Sequence, residues 1–247
     1  MKHFRLLMAL PLLALVGCAT PHVVPASQDA AFRLSNLRSQ QIAVFPVATA
    51  DLDESVSKTV ADEYKSKSAF LDTFSSRLSS RLIGVCKEPS LTSDKVATLL
   101  LAADATRPFL DPARLLGVQD PNNRFAGTPS QEAIGTLAQL PAFKDIRYAI
   151  VARDLGVGRQ WSTHANAGGG FVSTGPGGGT FVGASSSSSA KTSARLRLAI
   201  LDLQTRGIVW DGAVYADTSS TFMKVIALHE IEDDLALHLV NEVLGIK

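Results

Sequence analysis

Residues Ala194–Tyr215 constrain the fold more than any other stretch. In "ARLRLAILDL", Leu196, Leu198 and Ile200 fall on one side of an extended chain and Arg195 and Arg197 on the other, the period-two pattern of a half-buried strand. "QTRG" follows, then a second run, "IVWDGAVY". Two such runs joined by a short glycine-ended loop predict a β-hairpin, with Gly207 in the left-handed position these loops need. An isolated hairpin is marginal in water, so the rest of the chain has to supply further strands and a helical cover.

The flanking sequence offers both. From about Met223 to Leu244, Ile231, Leu235, Leu239 and Val243 form an i+4 row against acids at Glu230, Asp233 and Asp234, which predicts a closing amphipathic helix. Ser66–Val85 predicts another, with Phe70, Phe74, Leu78 and Leu82 on one face, Leu71 beside them, Arg77 and Arg81 elsewhere, and Gly84 as the stop. Gln41–Val47 reads as a buried strand with Pro46 at its end or on an edge, and Arg147–Leu155 as a second strand. A short helix is expected over Val96–Ala103 after Ser93, a loop over 108–129, and a helix opened by Thr128-Pro129 in which Ser130–Leu140 turns Ile134, Leu137 and Leu140 inward. The order predicts an α/β (α+β) domain: a small mixed sheet of four or five strands, helices packed on one face, and a C-terminal hairpin plus helix. The other face is left to solvent or to a neighbouring subunit.

The N-terminus carries an address. Lys2 and Arg5 precede an apolar run, Leu6–Val16, too short to span a bilayer but of signal-peptide length. The run ends in Leu15-Val16-Gly17-Cys18-Ala19-Thr20, which resembles the lipobox of bacterial lipoproteins. The resemblance implies a signal peptide over 1–17, recognition of Leu15, Val16 and Gly17 by the lipoprotein signal peptidase, and lipidation of Cys18 by a covalent diacylglycerol and an N-acyl chain. Ala19, not aspartate, follows the cysteine, which in that family favours the outer membrane, facing the periplasm. Residues 18–40, with their prolines and serines, then read as a lipidated tether, and 41–247 as a single periplasmic domain.

Removing residues 1–17 takes away two cations and no acid, so the net charge of +1 becomes −1. Near-neutrality without a basic run argues against nucleic acid as partner. Aromatic residues at 6% argue against a sugar- or base-stacking surface. With Cys18 acylated, Cys86 has no partner for an intrachain disulfide and reads as a small buried hydrophobe.

Reaction chemistry is not apparent. The Gly/Ser-rich insertion at 165–190 lacks the lysine of a phosphate loop. Its Phe171-Val172 and Phe181-Val182 come as adjacent pairs, which breaks the alternation of a lipid-facing strand; the expectation is a flexible loop. His229-Glu230 begins like a zinc-protease motif, but position 233 is aspartate, and His238, nine residues on, falls on the opposite helix face. "DLGVGRQW" holds Gly156 and Gly158 without the third glycine of a dinucleotide fingerprint, and no nucleophile elbow is present. No catalytic residue, metal ligand or dissociable cofactor is expected; Asp202 and Asp211 read as strand-end residues and Trp210 as core.

"QIAVFPV", "YAIVARDLGVGRQW" and "LRLAILDLQTRGIVWDGAVY" before a final helix together resemble a group of periplasm-facing lipoproteins. The group includes the curli secretion channel lipoprotein, the Pel polysaccharide export lipoprotein and the activator lipoproteins of penicillin-binding proteins. Asp202, Thr205, Gly207, Val209 and Trp210 stand in for its hairpin motif, a structural rather than catalytic signature. The resemblance implies a non-enzymatic accessory or scaffold in envelope assembly or export. It would act through a protein partner and as a homo-oligomer, with the hairpin's sheet edge and the acidic helix as contact surfaces. An oligomeric pore-forming secretion lipoprotein is the first alternative, an envelope hydrolase or ligand-binding protein the second.

Overall fold

In the computed structural model, the described residues are 22–47, 49–102, 131–165, 171–173, 179–181, 186–221 and 227–246. Cys18, the residues flanking it and the expected loop over 108–129 lie outside them. The strands are β1 (Val23–Gln28), β2 (Ile42–Val44), β3 (Thr49–Leu52), β4 (Tyr148–Ala165), β5 (Phe171–Ser173), β6 (Gly179–Phe181), β7 (Ser186–Asp202) and β8 (Gly207–Thr221). The helices are α1 (Glu54–Tyr64), α2 (Lys67–Ile83), α3 (Ser93–Ala102), α4 (Gln131–Gln139) and α5 (Leu228–Leu244), with 3-10 turns at Leu34–Ser39 and Pro141–Phe143. The expected α/β class is what forms: a mixed six-stranded sheet ordered β1-β8-β7-β4-β2, with β3 also on β4. β2 and β3 run parallel to β4 at successive heights, and the other pairings are antiparallel.

Helix ends follow the sequence. The Ser66 hydroxyl caps α2 by accepting from Ala69 N at 3.1 Å, and Gly84 stands at its end. Asp53 caps α1 through Val56 N at 2.7 Å. Gly245, at φ 72°, closes α5 in the left-handed conformation. α1 has no counterpart in the sequence reading, because only Val56 and Val60 of its length are buried and so narrow a stripe gives little periodic signal.

Helices occupy both faces of the sheet, not one. α1, α2 and α5 cover the first face over Leu196, Leu198, Ile200 and Trp210. On the second face a smaller core joins Ala43, Phe45, Ala149, Val151, Ala199 and Leu201 to Leu91, Val96, Leu100, Ile134, Leu137 and Phe143. The reason lies in "YAIVA" and "LAILDL": near the hairpin turn the strands are apolar on both sides, as strands buried between layers are. The arginine-bearing alternation belongs only to the stretch before that.

Residues assigned to a tether are folded from Val23 onward. β1 pairs with β8 from Val23↔Val214 to Gln28↔Trp210, and Phe32, Leu34 and Leu37 are buried. Pro25, which has no N–H to give, sits at a register shift on this edge strand. Gly212 makes the contact possible: a Cβ there would lie 2.5 Å from Val24 O and 2.6 Å from the Trp210 ring.

The hairpin turn also differs in detail. Asp202 Oδ1 accepts from Gln204 N at 2.9 Å and Thr205 N at 3.2 Å, an Asx-type turn. Arg206, at φ 59°, takes the left-handed position; Gly207 is already the first residue of β8, paired with Asp202.

The Gly/Ser insertion is in part ordered strand. β4, β7 and β8 run for 18, 17 and 15 residues, well beyond the usual 3–10. Trp161–Ala165 pairs with Ser186–Ala190, and β5 pairs with β6 as a short hairpin. The flexible-loop expectation is corrected for these residues: cross-strand backbone bonding extends the ladder where side chains offer little to pack.

Candidate functional site

Beyond the second core, the second sheet face has no helix over it among the described residues. Strand register sets its side chains in rows. Tyr215 pairs with Arg195, Arg195 with Gly156, and Gly156 with Asp51. One step along, Asp217 pairs with Ser193 and Ser193 with Gly158, while Asp53 N bonds Val157 O. The two glycines leave a trench over β4 of about 480 Å³, lined by Asp51, Asp53, Arg195, Ser193, Tyr215 and Asp217. Asp53 is occupied structurally: one oxygen caps α1 and the other accepts from Arg159 N. Asp217 meets Lys191 Nζ at 3.2 Å, each about half exposed. The half-buried Arg195 lies over the glycine floor, with Nη2 3.7 Å from where a Gly156 Cβ would stand. Its Nε is buried with no hydrogen-bond partner among the described residues.

Between this trench and the apolar core lies a charge cluster of the buried Arg153, Asp154 and Asp211 with the half-buried Arg197. Burial pushes the Asp211 carboxyl up to about 6, against the lowering pull of Arg153, of the Gly212 backbone N–H and of Arg197. Burial likewise lowers the Arg153 guanidinium, which Asp211 and Asp154 pull back up.

β4, β7 and β8 continue past the rest of the sheet as a three-stranded ribbon. β1 covers β8 only to Val214, with Tyr215 N donating to His22 O at 2.7 Å. β3 covers β4 only to Val157. Among the described residues, no strand pairs with the outer edge of β8 over 216–221 or of β4 over 160–165. The expected contact surface on the hairpin edge is therefore open only above Tyr215. Arg159 roots the ribbon: Nε donates to Thr192 Oγ1 and Nη1 to Thr59 Oγ1, both at 3.3 Å.

The acidic helix is less free than its sequence suggests. Arg77 on α2 meets Glu232 at 2.5 Å and Arg81 meets Asp233 at 2.6 Å. Tyr64 donates to Glu232 at 3.4 Å, and burial with Glu232 nearby raises its hydroxyl to about 12. Asp202, besides capping the turn, meets Arg147 at 3.4 Å. Trp210 is 1% exposed, inside the first core. Thr205 and Gly207 sit at the turn, away from the trench. Cys86 is half-buried against the first core, and burial raises its thiol to about 11, which removes thiolate reactivity at neutral pH. His229 is exposed on α5, whereas His238 stacks on His22. Among the described residues, no group of three or more His, Cys, Asp or Glu side chains is placed to hold a metal ion, and no helix is long and apolar enough to cross a membrane. The trench was hidden from sequence reasoning; the paired Gly156 and Gly158 were its one visible trace.

The fold and this face define an α/β protein with a trench over two glycines and an open-edged ribbon. No protein-family model matches the chain, and no curated protein does. Among solved structures it is similar to a point-variant PelC dodecamer from Paraburkholderia phytofirmans, at 10% identity over 88% of this chain and 94% of that one, with a TM-score of 0.32.

Proposed function

We propose that the chain is a lipid-anchored protein of the outer membrane, facing the periplasm, that serves as a non-enzymatic accessory or scaffold in envelope assembly or export. The observation that carries this reading is the apolar run ending in Leu15-Val16-Gly17-Cys18 directly ahead of a folded body. Only four residue steps separate Cys18 from His22, the first described residue, a reach of about 14 Å at full extension. An acylated Cys18 thus holds the body against the bilayer surface rather than on a long leash. The open ribbon edges support action by protein contact, because unpaired strand edges are templates for another chain. A second copy pairing its β4 edge with the β8 edge is the homo-oligomeric form of this idea.

The pore-forming alternative has one observation in its favour. β1 runs antiparallel to β8, so its His22 end points the same way as the ribbon tip, and anchor and ribbon approach the membrane together. Against it, 186–193 and 216–221 are dominated by serine and threonine, and neither they nor 160–165 show the apolar alternation of lipid-facing strands.

Mass spectrometry of the membrane-extracted protein tests the anchor: a triacylated Cys18 is expected, and an unmodified thiol on a cytosolic chain ends the reading. In-cell crosslinking from cysteines placed at Thr218 and Gln160 tests the contact surface. Conductance in planar bilayers separates scaffold, which stays silent, from pore.

A further inference from the structure

We propose that the imidazoles of His22 and His238 form an acid-released clasp on the start of β1: the closed stack holds one proton, a second forces it open, and the chain lets go of β8 as far as Pro25. The clasp uses only residues of the folded body. The longer tether it gives an anchored chain rests on the anchor reading above.

The two rings lie face to face, with centroids 3.8 Å apart and planes 7° from parallel. His238 Nε2 is 3.3 Å from Asp234 Oδ2, one turn back on α5. A single proton suits this arrangement. On His238 it makes a charge-assisted contact with Asp234, and the neutral His22 ring stacks on it without repulsion. A second proton, on His22, sets two unit charges 3.8 Å apart with one carboxylate to answer both. Imidazole is the side chain that ordinarily takes such a proton between about pH 5 and 8. His22 is exposed, so water delivers the proton without unfolding.

The other charged groups on the packed elements are engaged or turned away. On α5, Glu242 stands one turn beyond His238 and is exposed; among the described residues, Asp234 is the acid within ion-pair reach of either ring. On α2, Arg77 and Arg81 hold Glu232 and Asp233. In the 3-10 turn against α5, Arg33 donates to the carbonyls of Ala30 and Phe32, and Arg38 is exposed. On β8, Tyr215 lines the trench on the opposite sheet face, and Asp217 meets Lys191 of β7. Arg195 and Arg197 of β7 project from that opposite face as well.

β1 is built to open from this end. Its first rungs pair Val23 with Val214 and Val24 with Ala213, and the ladder is interrupted between Pro25 and Ser27, where Pro25 has no N–H to give. Val23 packs only partly against the first core and Val24 is exposed, so little apolar surface holds them. Tyr215 N donates to His22 O at 2.7 Å, and among the described residues no strand pairs with β8 beyond that point. Opening therefore breaks the rungs from His22 to Val24 and stops at an irregularity already present. In an anchored chain, three freed residues add about 10 Å to the reach from Cys18.

The test is hydrogen exchange, read by NMR on the full chain in maltoside micelles at about pH 7.5 and about pH 5. Protection of the Tyr215 amide, corrected for the pH dependence of intrinsic exchange, is expected to fall at least about fivefold on acidification, the factor that two like charges about 4 Å apart are worth in water. The β7 amides should keep their protection. His22→Phe and His238→Phe each leave an aromatic ring in the stack that takes no proton, and Tyr215 protection should then be level between the two conditions. Asp211 titrates alike in all three proteins, so its effect cancels in the comparison. Should a Phe variant fail to fold, salt gives a second reading: about 1 M NaCl, which shortens the Debye length to about 3 Å, should recover part of the wild-type protection at the acid pH. Unchanged wild-type protection on acidification, an equal fall in both Phe variants, a loss shared by β7, or a fall that salt leaves untouched each overturns the proposal.

Discussion

The rings of His22 and His238 stack with centroids 3.8 Å apart and planes 7° from parallel, and His238 Nε2 lies 3.3 Å from Asp234 on the same helix. This contact ties the start of the edge strand to α5, close to the point where an anchored N-terminus would pull. His22→Ala is expected to cost about 1 kcal/mol, the scale of a stacked aromatic pair. Hydrogen exchange at the β1 amides should quicken while that of β7 stays slow. Equal protection of β1 in wild type and variant would show the stack to be incidental.

Gly212 holds β1, β8 and Trp210 in mutual contact. A methyl group there collides with backbone on one side and an indole on the other, neither able to move alone. Gly212→Ala is expected to lose about 1–3 kcal/mol, as overpacked cores do, read as a lower urea midpoint with an unchanged slope. A substitution at Gly207, whose added Cβ would come no nearer than 3.9 Å to Thr205 Oγ1, should be milder by comparison.

Asp211 titrates near 6 in the folded chain and near 3.8 unfolded. The native state therefore holds the proton over that interval while the unfolded chain has released it. Its contribution to stability is fully present below about pH 4 and is lost as pH rises through 6. Denaturation from pH 4 to 7 should reveal this fall, and Asp211→Asn should flatten it. A slope identical in both proteins would mean that the carboxylate is ionised throughout.

Cys86 should react slowly with maleimide at pH 8 in the native state and rapidly in urea, because a thiol raised to about 11 by burial is almost wholly protonated there. Fast native labelling would place the side chain in solvent.

Arg77→Ala should destabilise the α2–α5 seam more than Arg81→Ala. Glu232, 3% exposed, is left as a buried carboxylate with only Tyr64 as donor, a loss of about 2 kcal/mol. The pair of Arg81 and Asp233, each about 45% exposed, falls in the range of about 0–1 kcal/mol for surface pairs. Thermal midpoints of the two variants provide the comparison.

The hairpin, α2 and α5 were legible because each is declared by its own period: alternating Leu196, Leu198 and Ile200, or Phe70, Phe74, Leu78 and Leu82 four residues apart. The helix stop at Gly84 is equally local. Even the expected lipidation of Cys18 rests on adjacent residues. β1 was not legible, because "VVPASQ" has a tether's composition and becomes a strand only when the β8 edge and Gly212 give it a seat. The second-face core was not legible either, since "YAIVA" is as compatible with one buried side as with two until α3 and α4 are seen against it.

The trench is the clearest case of what tertiary structure alone decides. Asp51, Gly156, Arg195 and Tyr215 are separated by 105, 39 and 20 positions in the chain, and no spacing rule links them. Register brings them into one row, because backbone hydrogen bonding across β3, β4, β7 and β8 admits one alignment that buries the apolar side of every strand. Local periodicity names the strands; long-range pairing decides which residues become neighbours, and so where a site exists at all.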